Sequence, residues 1–459
     1  MSGDRIPAAE PAELVPASAR LRAEGVELVE LSFVDNAGIV RVKTAPLDRL
    51  PDIARHGLGA SPCFETFTFD DMMLRGTHLG GPDGDLRLVP DIARLTRLVA
   101  MPGWAWAPAD KFTQDGPRFV ACQRAFAARQ VAAAASAGLT ISAAFEHEWV
   151  LAEPGLDEFV PAISGSGYGQ VRLEALADYG LALVRTLREQ GLDVLQFHPE
   201  YALGQAELSV AAKDPVGAAD DAVLTRHTVR AVTRRHGWRA SFAPCLVPDG
   251  AGSGAHLHLS AHDSRGNLFA HGSGRHGLQP VGEAFLAGVL RELPALVAIG
   301  AGNPASFLRL GPSRWAGIWQ AWGHETREAA LRLITGTEGT RSWAANAEIK
   351  CFDATANPYL VVGAVIAAGL AGVREELSLP GEITGDPALL TDTARAEAGV
   401  ERLPTGPAEA ADALAASEVL AEALEPELHD ALLTVRRGEA ERFAEATPGE
   451  LAAATRWTW

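Results

Sequence analysis

The residues Gly252-Ser253-Gly254-Ala255-His256-Leu257-His258-Leu259-Ser260 combine a glycine-rich turn with a segment of alternating polar and apolar side chains. Side chains of a β-strand alternate between its two faces, so the pattern predicts a strand with His256, His258 and Ser260 on one face. With 13 histidines in 459 residues, chance gives about 0.4 such His-x-His pairs, so the pair alone is a weak sign of a metal site. The turn strengthens it, because backbone N–H groups there can bind an anion.

Two further segments place carboxylates at spacings that can bring them together. The residues Phe145-Glu146-His147-Glu148-Trp149 are predicted to form a strand, with Glu146 and Glu148 on the same face. Glu200 and Glu207 flank a turn at Gly204 that can fold the two carboxylates toward each other. Taken alone, the first pair fits an ordinary solvated strand face better, and the second fits a surface loop better.

The segment from residue 306 to residue 360 holds cationic side chains close to carboxylates: Arg309, Arg327, Arg332, Glu348, Lys350 and Asp353. Arginine beside carboxylate suits the binding of phosphate together with a metal ion. Surface ion pairs explain this segment equally well when it is considered alone. Together, however, the four segments predict a multi-metal phosphoryl-transfer site. Hard oxygen ligands favour Mg²⁺ or Mn²⁺, and an imidazole among carboxylates slightly favours Mn²⁺.

The chain divides into three parts by sequence texture. Residues 1–15 are predicted to be a disordered leader, and residues 16–108 a small, mostly β domain with a hairpin of strands at 26–33 and 39–43. Residues 109–459 alternate strands and helices with long glycine-rich gaps, which predicts an α+β fold with one large catalytic domain. Its predicted helices include 118–137, 172–190, 214–236 and 283–297, and its predicted strands include 140–152, 193–198, 239–243 and 255–261.

Composition excludes several classes of function. The 58 acidic residues outnumber the 40 basic ones, giving a net charge of −18, which argues against a general nucleic-acid binder. The four cysteines are far apart and form no CxxC pair, which argues against a disulfide framework or a thiolate zinc site. The start of the chain lacks the features of a signal peptide, and no stretch is suited to span a bilayer. We therefore expect a cytoplasmic enzyme with small-molecule substrates and no nucleic-acid or membrane partner.

The chain resembles the glutamine synthetase family over about residues 20–459, and the four segments occur in the family's order. The most specific parts are the turn and strand at 252–260 and the stretch from Glu348 and Lys350 to Asn357-Pro358-Tyr359-Leu360. The resemblance implies an N-terminal β-grasp domain, a catalytic domain, and stacked rings of subunits with active sites between neighbours, most simply a dodecamer. It also implies ATP as a substrate and two to three Mg²⁺ or Mn²⁺ ions per site.

The resemblance also assigns roles to individual residues. The metal ion nearer the amino-acid substrate would be held by Glu148, Glu200 and Glu207. The metal ion at the ATP phosphates would be held by Glu146, His256 and Glu348. Other ATP-side positions are His258 and Ser260, with Arg327 and Arg332 at the phosphates and the acyl phosphate. Contacts to substrate glutamate would come from Arg309, the backbone at Gly252, and Lys350, which stands where the family usually has an arginine.

Several positions depart from the family pattern. Ala243, Ala251 and Asn346 replace a lysine, an asparagine and a phosphate-binding arginine. The family's mobile catalytic glutamate falls on Trp315. Residues 59–67 replace an Asp-Gly-Ser-Ser ammonium loop, and the candidates for its aspartate are Glu65, Asp70 and Asp71. No tyrosine follows Tyr359, so adenylylation of a C-terminal tyrosine is excluded.

These departures favour an amine larger than ammonia. Transfer of the ATP γ-phosphoryl group to a carboxylate makes an acyl phosphate that an amine can attack, and Glu200 is the candidate acceptor of the amine's proton. Trp315 offers an apolar wall and a π-face to an organic cation, and Trp319 and Trp322 are candidates to extend that wall.

The sequence therefore predicts an ATP-dependent ligase that joins the γ-carboxylate of L-glutamate to an organic amine, such as a polyamine or ethanolamine. The alternative is a glutamine synthetase that uses ammonia, and a catalytically inactive structural relative is less favoured. A metallohydrolase without ATP would leave Arg309, Arg327 and Arg332 unexplained.

Overall fold

The computed structural model describes residues 5–6, 12–155 and 157–459. Its N-terminal elements are α1 (Leu14–Ala23), β1 (Leu28–Val34), β2 (Val40–Pro46), α2 (Leu50–His56), β3 (Leu58–Ala60), β4 (Leu86–Pro90), β5 (Thr96–Arg97) and β6 (Trp104–Thr113). Most of the predicted leader, residues 1–4 and 7–11, lies outside the described residues, whereas residues 14 and 15 belong to α1.

The N-terminal strands form one sheet in the order β2-β1-β6-β4-β3, with β5 also pairing with β6. The pairing of β1 with β6 is parallel, and the others are antiparallel. The predicted hairpin is confirmed, since Val34 pairs with Val40 around a tight turn. Gly38 in this turn has φ +80°, and a Cβ there would lie 1.7 Å from the carbonyl oxygen of Thr355. The turn therefore requires glycine both for its backbone angle and for its approach to the rest of the molecule.

The remaining elements follow in alternation. They are α3 (Gln123–Ser136), β7 (Thr140–Ala152), α4 (Gln170–Glu189), β8 (Val194–Pro199), β9 (Gln205–Val210), α5 (Pro215–Arg235), β10 (Arg239–Ser241), β11 (Leu257–Asp263), β12 (Gly266–Asn267), α6 (Pro280–Gly300) and α7 (Ser306–Arg309). The chain continues with β13 (Trp319–His324), β14 (Ala329–Ile334), α8 (Arg341–Ala344), β15 (Asn346–Ile349), α9 (Pro358–Arg374), α10 (Asp392–Glu397), β16 (Glu401–Arg402), α11 (Pro407–Ala416), α12 (Glu418–Arg442) and α13 (Pro448–Thr455).

A second sheet runs through this part of the chain in the order β16-β13-β14-β15-β11-β7-β9-β8, with β10 added to β7 and β12 to β11. The predicted strand at 140–152 matches β7 residue for residue. The predicted helix at 118–137 begins later, at Gln123, because Phe119 donates its backbone N–H to the carbonyl oxygen of Lys111 and so extends the end of β6 instead. Among the described residues, no helix has the length and apolar character needed to cross a membrane.

The helices α6 and α9 are buried along most of their length and pack closely against each other. A Cβ at Gly288 would lie 2.3 Å from the carbonyl oxygen of Ala368, and one at Gly372 would lie 2.2 Å from that of Ala284. These two glycines let the helix backbones approach closely, so that α6 and α9 form one buried apolar layer.

A buried polar network joins the turn between β1 and β2 to helices α3 and α12. The side chain of Asn36 donates to the carbonyl oxygen of Glu65 at 2.8 Å and accepts from Gln123 at 2.8 Å. Arg436 of α12 donates to the carbonyl oxygen of Asn36 at 2.7 Å and pairs with Glu439 at 3.0 Å. Since all of these groups are buried, they must satisfy one another, and the N-terminal sheet is fixed to the C-terminal helices.

Candidate active site

Strand register brings the predicted acidic residues into one place. In the antiparallel pair of β7 and β9, Glu148 lies opposite Glu207. Strand β11 lies between β7 and β15, and His258 pairs with Glu348 across the latter contact. Because neighbouring strands align these positions, side chains that are far apart in sequence reach one end of the sheet.

Three groups of ligand-type atoms result, and in each group the atoms lie within 4.8 Å of one another. The groups are Glu146, Glu148 and His256; Glu146, His258 and Glu348; and His198, Glu200 and Glu207. We call them together the carboxylate cluster. All six predicted metal ligands belong to it, and the structure adds His198 and His258.

The closest contacts within the carboxylate cluster converge on one imidazole. The Nδ1 atom of His256 lies 2.8 Å from Glu146 Oε1 and 3.1 Å from Glu348 Oε1, and its Nε2 lies 3.8 Å from Glu148 Oε1. Carboxylate oxygens with imidazole nitrogen are the donor types that Mg²⁺ and Mn²⁺ accept. The residues present therefore fit divalent cations, which the carboxylate cluster would hold.

The electrostatics of the cluster support that fit. Burial, followed by repulsion from Glu146 and Glu148, raises the pKa of Glu207 to about 9. Burial alone would raise the pKa of Glu146, but hydrogen bonds from His256 and His258 lower it below its usual range. A site with more carboxylates than nearby cations carries uncompensated negative charge, which a divalent cation would neutralise.

Two backbone N–H groups of the glycine-rich turn already have acceptors within the protein. Gly254 donates its backbone N–H to Glu148 Oε2 at 2.9 Å, and Ser253 donates its backbone N–H to Pro244 O at 3.0 Å. The N–H of Gly254 therefore binds an anionic group of the protein itself, the carboxylate of Glu148, whereas the N–H of Ser253 is taken up by a neutral carbonyl oxygen. Gly252 is constrained differently, since a Cβ there would lie 2.4 Å from Cγ of Arg309.

Two cationic side chains hold the carboxylate of Glu348 in place. Lys350 Nζ donates to Glu348 Oε1 at 2.8 Å, and Arg332 Nη1 donates to Glu348 Oε2 at 2.9 Å. Arg309 is buried and donates from Nη2 to the carbonyl oxygen of Lys350 at 3.0 Å. These contacts hold the carboxylate of Glu348 in one orientation, as metal ligands require.

A cavity of about 1400 Å³ opens in front of the carboxylate cluster. Its lining includes these predicted site residues: Glu146, Glu148, Glu200, Glu207, Gly252, His256, Arg309, Trp315, Arg327, Arg332 and Lys350. His258, Ser260 and Glu348 do not line it. Ser260 Oγ instead lies 2.9 Å from His262 Nε2, and His258 Nδ1 lies 2.9 Å from Asn346 Oδ1.

Two aromatic side chains stand at the mouth of this cavity. Trp315 is 56% exposed, and the guanidinium of Arg327 lies 5.6 Å from the centre of its ring. Tyr168 donates its hydroxyl to Glu200 Oε1, and its ring stacks on His198 with 5.7 Å between centroids. We call Trp315, Arg327 and Tyr168 the cavity rim. It gives the cavity apolar surface beside its carboxylates.

Two expectations are wrong, one about this rim and one about an acidic candidate in the N-terminal domain. Trp319 and Trp322 do not extend the wall of Trp315, because both are buried and Trp322 Nε1 donates to the carbonyl oxygen of Pro380 at 3.0 Å. Glu65 is not free to act in another site, because it is fully buried and forms an ion pair with Lys111. The way β13 packs puts both tryptophans into the core, which a count of spacing alone does not reveal.

Sequence reasoning did not identify three residues around the cavity as site residues. His198 had a detectable signal, because it stands two positions before Glu200 at the end of β8, and alternation puts them on one side. Tyr168 lies in a loop, and nothing in the sequence marks it. Glu328 accepts the backbone N–H of Trp315 at 3.0 Å. That contact joins a loop to the residue just before β14.

Two family models match the chain. The glutamine synthetase N-terminal domain matches residues 14–117, and the glutamine synthetase catalytic domain matches residues 120–452. The chain belongs to the glutamine synthetase family. The predicted family and the α+β fold with an N-terminal and a large catalytic domain are confirmed. The predicted domain boundary at residues 108 and 109 falls inside β6.

Individual relatives include enzymes that use different amines. The chain is 51% identical to gamma-glutamylpolyamine synthetase GlnA3 of Streptomyces coelicolor, over 99% of each chain. It is 26% identical to a glutamate–isopropylamine ligase of a Pseudomonas species, over 80% of this chain and 82% of the relative. A crystal structure of a novel glutamine synthase homologue has 31% identity and a TM-score of 0.84, covering 95% of this chain and 99% of the other. The chain is thus a ligase of this family, whose members normally use ATP and a divalent metal ion.

Proposed function

We propose that this ligase uses ATP to join the γ-carboxylate of L-glutamate to an organic amine, with polyamines as the favoured class. The observation that carries the proposal is the cavity rim. At the position of the family's catalytic glutamate, an exposed indole faces the cavity that the carboxylate cluster lines. An aromatic face and a set of carboxylates suit a cation with an alkyl chain better than ammonium, which is small and strongly hydrated. The similarity to the polyamine enzyme supports the same class.

The reaction has two bond exchanges. First, a γ-carboxylate oxygen of glutamate forms a bond to the γ-phosphorus of ATP, the bond from that phosphorus to the bridging oxygen breaks, and ADP leaves. Next, the neutral amine nitrogen bonds to the acyl carbon, the bond from that carbon to the phosphate oxygen breaks, and phosphate leaves. Divalent cations bound at the carboxylate cluster would neutralise phosphate charge. We assign their ligands as Glu146, Glu148, Glu200, Glu207, His256 and Glu348.

Other residues are proposed to bind phosphate, accept the proton of the amine and bind the substrates. Arg327 lines the cavity, and among the described residues its guanidinium contacts only the ring of Trp315, so it is free to bind phosphate oxygens. Glu200 is the proposed acceptor of the amine's proton. Burial raises the pKa of Glu200, while the hydrogen bond from Tyr168 opposes that rise. We keep His258 and Ser260 as ATP-side residues, and Arg309, Lys350 and the backbone at Gly252 as glutamate-side groups.

Phosphate release across an amine panel tests this function. The panel is putrescine, spermidine, ethanolamine, isopropylamine and ammonium, each with and without L-glutamate, in the presence of ATP and Mg²⁺ or Mn²⁺. We expect release only when glutamate and amine are both present, with a polyamine giving the highest kcat/KM. A best rate with ammonium would identify a glutamine synthetase instead, and no glutamate-dependent release with any amine would overturn the proposal.

We also propose a dodecamer of two hexameric rings in the cytoplasm, where ATP is supplied. Exposed apolar side chains of the N-terminal domain, Val42, Met72 and Met73, support assembly with other subunits. Light scattering that showed a fully active monomer of 48.4 kDa would contradict the assembly.

A further inference from the structure

The loop that presents Trp315 has a sterically unfavourable backbone. Ser313 and Trp315 both have φ +55°, in the left-handed region that residues with a side chain rarely adopt. Such angles persist only where surrounding contacts impose them, and they concentrate at ligand-binding sites. Contacts from outside the loop must therefore hold Trp315 in place.

One of these contacts is a buried carboxylate beneath the loop. Glu328 Oε1 accepts the backbone N–H of Trp315 at 3.0 Å, and Glu328 is only 6% exposed. Its other oxygen, Oε2, is buried and has no hydrogen-bond partner among the described residues. Burying a carboxylate is costly unless it is paired or hydrogen-bonded. Within the part of the chain that the structure describes, the N–H of Trp315 is the one hydrogen-bond donor to this carboxylate.

Two consecutive residues thus hold the tryptophan from two directions. Arg327 is exposed and contacts the indole ring, whereas Glu328 is buried and holds the backbone N–H. These two residues lead directly into β14 at Ala329. The sheet therefore sets the position of the indole through a single pair of neighbouring residues.

We propose that Glu328 is a positioning residue for amine selection, acting through Trp315. It does not line the cavity, so it contacts no substrate, but it fixes the loop that carries the indole against the amine. The inference rests on the proposed function, since it assumes that Trp315 contacts the amine. The contact with the N–H of Trp315 needs only an acceptor oxygen, so a neutral acceptor of the same shape should serve equally well.

The test uses two substitutions of similar size in the full-length enzyme. Glu328→Met removes the acceptor but fills the same space, and Glu328→Gln keeps an acceptor oxygen. The amine is the panel member that gives the wild-type enzyme its highest kcat/KM. We expect Glu328→Met to raise the KM for that amine about tenfold, a change of about 1.4 kcal/mol. We expect kcat and the KM values for ATP and glutamate to stay within about twofold, and Glu328→Gln to behave as wild type.

Trp315→Ala provides the second arm, because a residue that acts through Trp315 has no effect once the indole is gone. The double variant Trp315→Ala with Glu328→Met should therefore have the same amine KM as Trp315→Ala alone. Glu338→Ala, an exposed residue after the same strand, is the control and should match wild type.

Three results would overturn the inference. They are an unchanged amine KM in Glu328→Met, multiplying effects in the double variant, and a general loss of kcat with all KM values raised together. The last result would show that Glu328 contributes only to stability. The same conclusion would follow if Glu328→Met failed to fold and Glu328→Gln were also impaired. Failure of the proposed function looks different, because the wild-type enzyme itself would then release no phosphate with glutamate and amine.

Discussion

The carboxylate cluster and the cavity rim face the same cavity but are positioned by different means. Glu146, Glu148 and Glu207 lie on paired strands, where register fixes each side chain against its neighbours. Trp315 and Tyr168 lie in loops, each with φ +55°. The proposed metal ligands Glu146, Glu148 and Glu207 are therefore built into the sheet. The groups proposed to face the amine are held by a few loop contacts, which a single substitution can remove.

The largest effect should follow from removing a proposed metal ligand of the carboxylate cluster. Glu348→Ala removes a buried carboxylate that His256, Lys350 and Arg332 contact. We expect kcat to fall by several orders of magnitude, since a metal ion would lose a ligand at the phosphates. His256→Ala should act nearly as strongly. Steady-state phosphate release at saturating Mn²⁺ measures this, and near-wild-type rates in either variant would show that the ligand assignment is wrong.

A substitution on the rim should change preference rather than abolish activity. Trp315→Glu removes the indole and introduces a carboxylate, so it should lower kcat/KM for the preferred organic amine and raise it for ammonium. We expect the ratio of the two to fall about tenfold, equivalent to about 1.4 kcal/mol. Competition between the two amines, with products quantified by mass spectrometry, reports the ratio directly. An unchanged ratio would remove Trp315 from the amine site.

A smaller effect is expected at the other rim aromatic. Tyr168→Phe deletes only the hydroxyl that Tyr168 donates to Glu200, leaving the ring stacked on His198. We expect kcat to fall about threefold to tenfold, because a typical hydrogen bond contributes about 0.5–1.5 kcal/mol net and the rest of the site stays intact. Steady-state phosphate release with saturating glutamate and amine measures the change.

Tyr201→Phe is the matched control for this substitution. Tyr201 also lines the cavity, but it is 71% exposed, and its hydroxyl has no hydrogen-bond partner among the described residues. Equal effects of the two tyrosine substitutions would mean that the contact with Glu200 is irrelevant to turnover.

The smallest expected effect is the release of a proton from Glu207 when a metal ion binds the carboxylate cluster. Because its folded-state pKa is raised to about 9, Glu207 carries a proton at pH 7 that a bound cation must displace. Binding of Mn²⁺ at pH 7 should therefore release about one proton, and affinity should increase as the pH rises from about 6 to about 8. Calorimetry in buffers with different ionisation enthalpies counts the protons. In Glu207→Gln the release should largely disappear, and a pH-independent affinity in the wild-type enzyme would show that Glu207 is not the source of the proton.

The same contrast explains how much of the molecule could be predicted from sequence. Period-two alternation located β7 and β11, and with them Glu146, Glu148 and His256, because strand geometry is local and regular. The segment from residue 306 to residue 360 drew attention to Glu348 and the arginines, and the family resemblance assigned their roles. Tyr168 could not be predicted, since its contact with Glu200 depends on how a loop folds back over 32 residues.

Burial was equally hard to anticipate where it depends on distant partners. In the sequence, Glu65 is a candidate acidic group of the site. In the fold it is enclosed by Lys111 and Gln123, which come from other elements. Trp319 and Trp322 follow Trp315 closely, but they lie on β13 and pack inward. Spacing in sequence does not specify which face of a strand the protein covers.

The buried polar network that joins the turn between β1 and β2 to helices α3 and α12 has a consequence for how the chain unfolds. Two family models match two segments, yet Asn36 of the first depends on Gln123 and Arg436 of the second for its hydrogen bonds. Pulling the segments apart would break these hydrogen bonds and expose the groups to water, at a cost of about 0.5–1.5 kcal/mol for each bond. The two segments should therefore melt together in one cooperative transition, and residues 14–117 expressed alone should not hold their native structure.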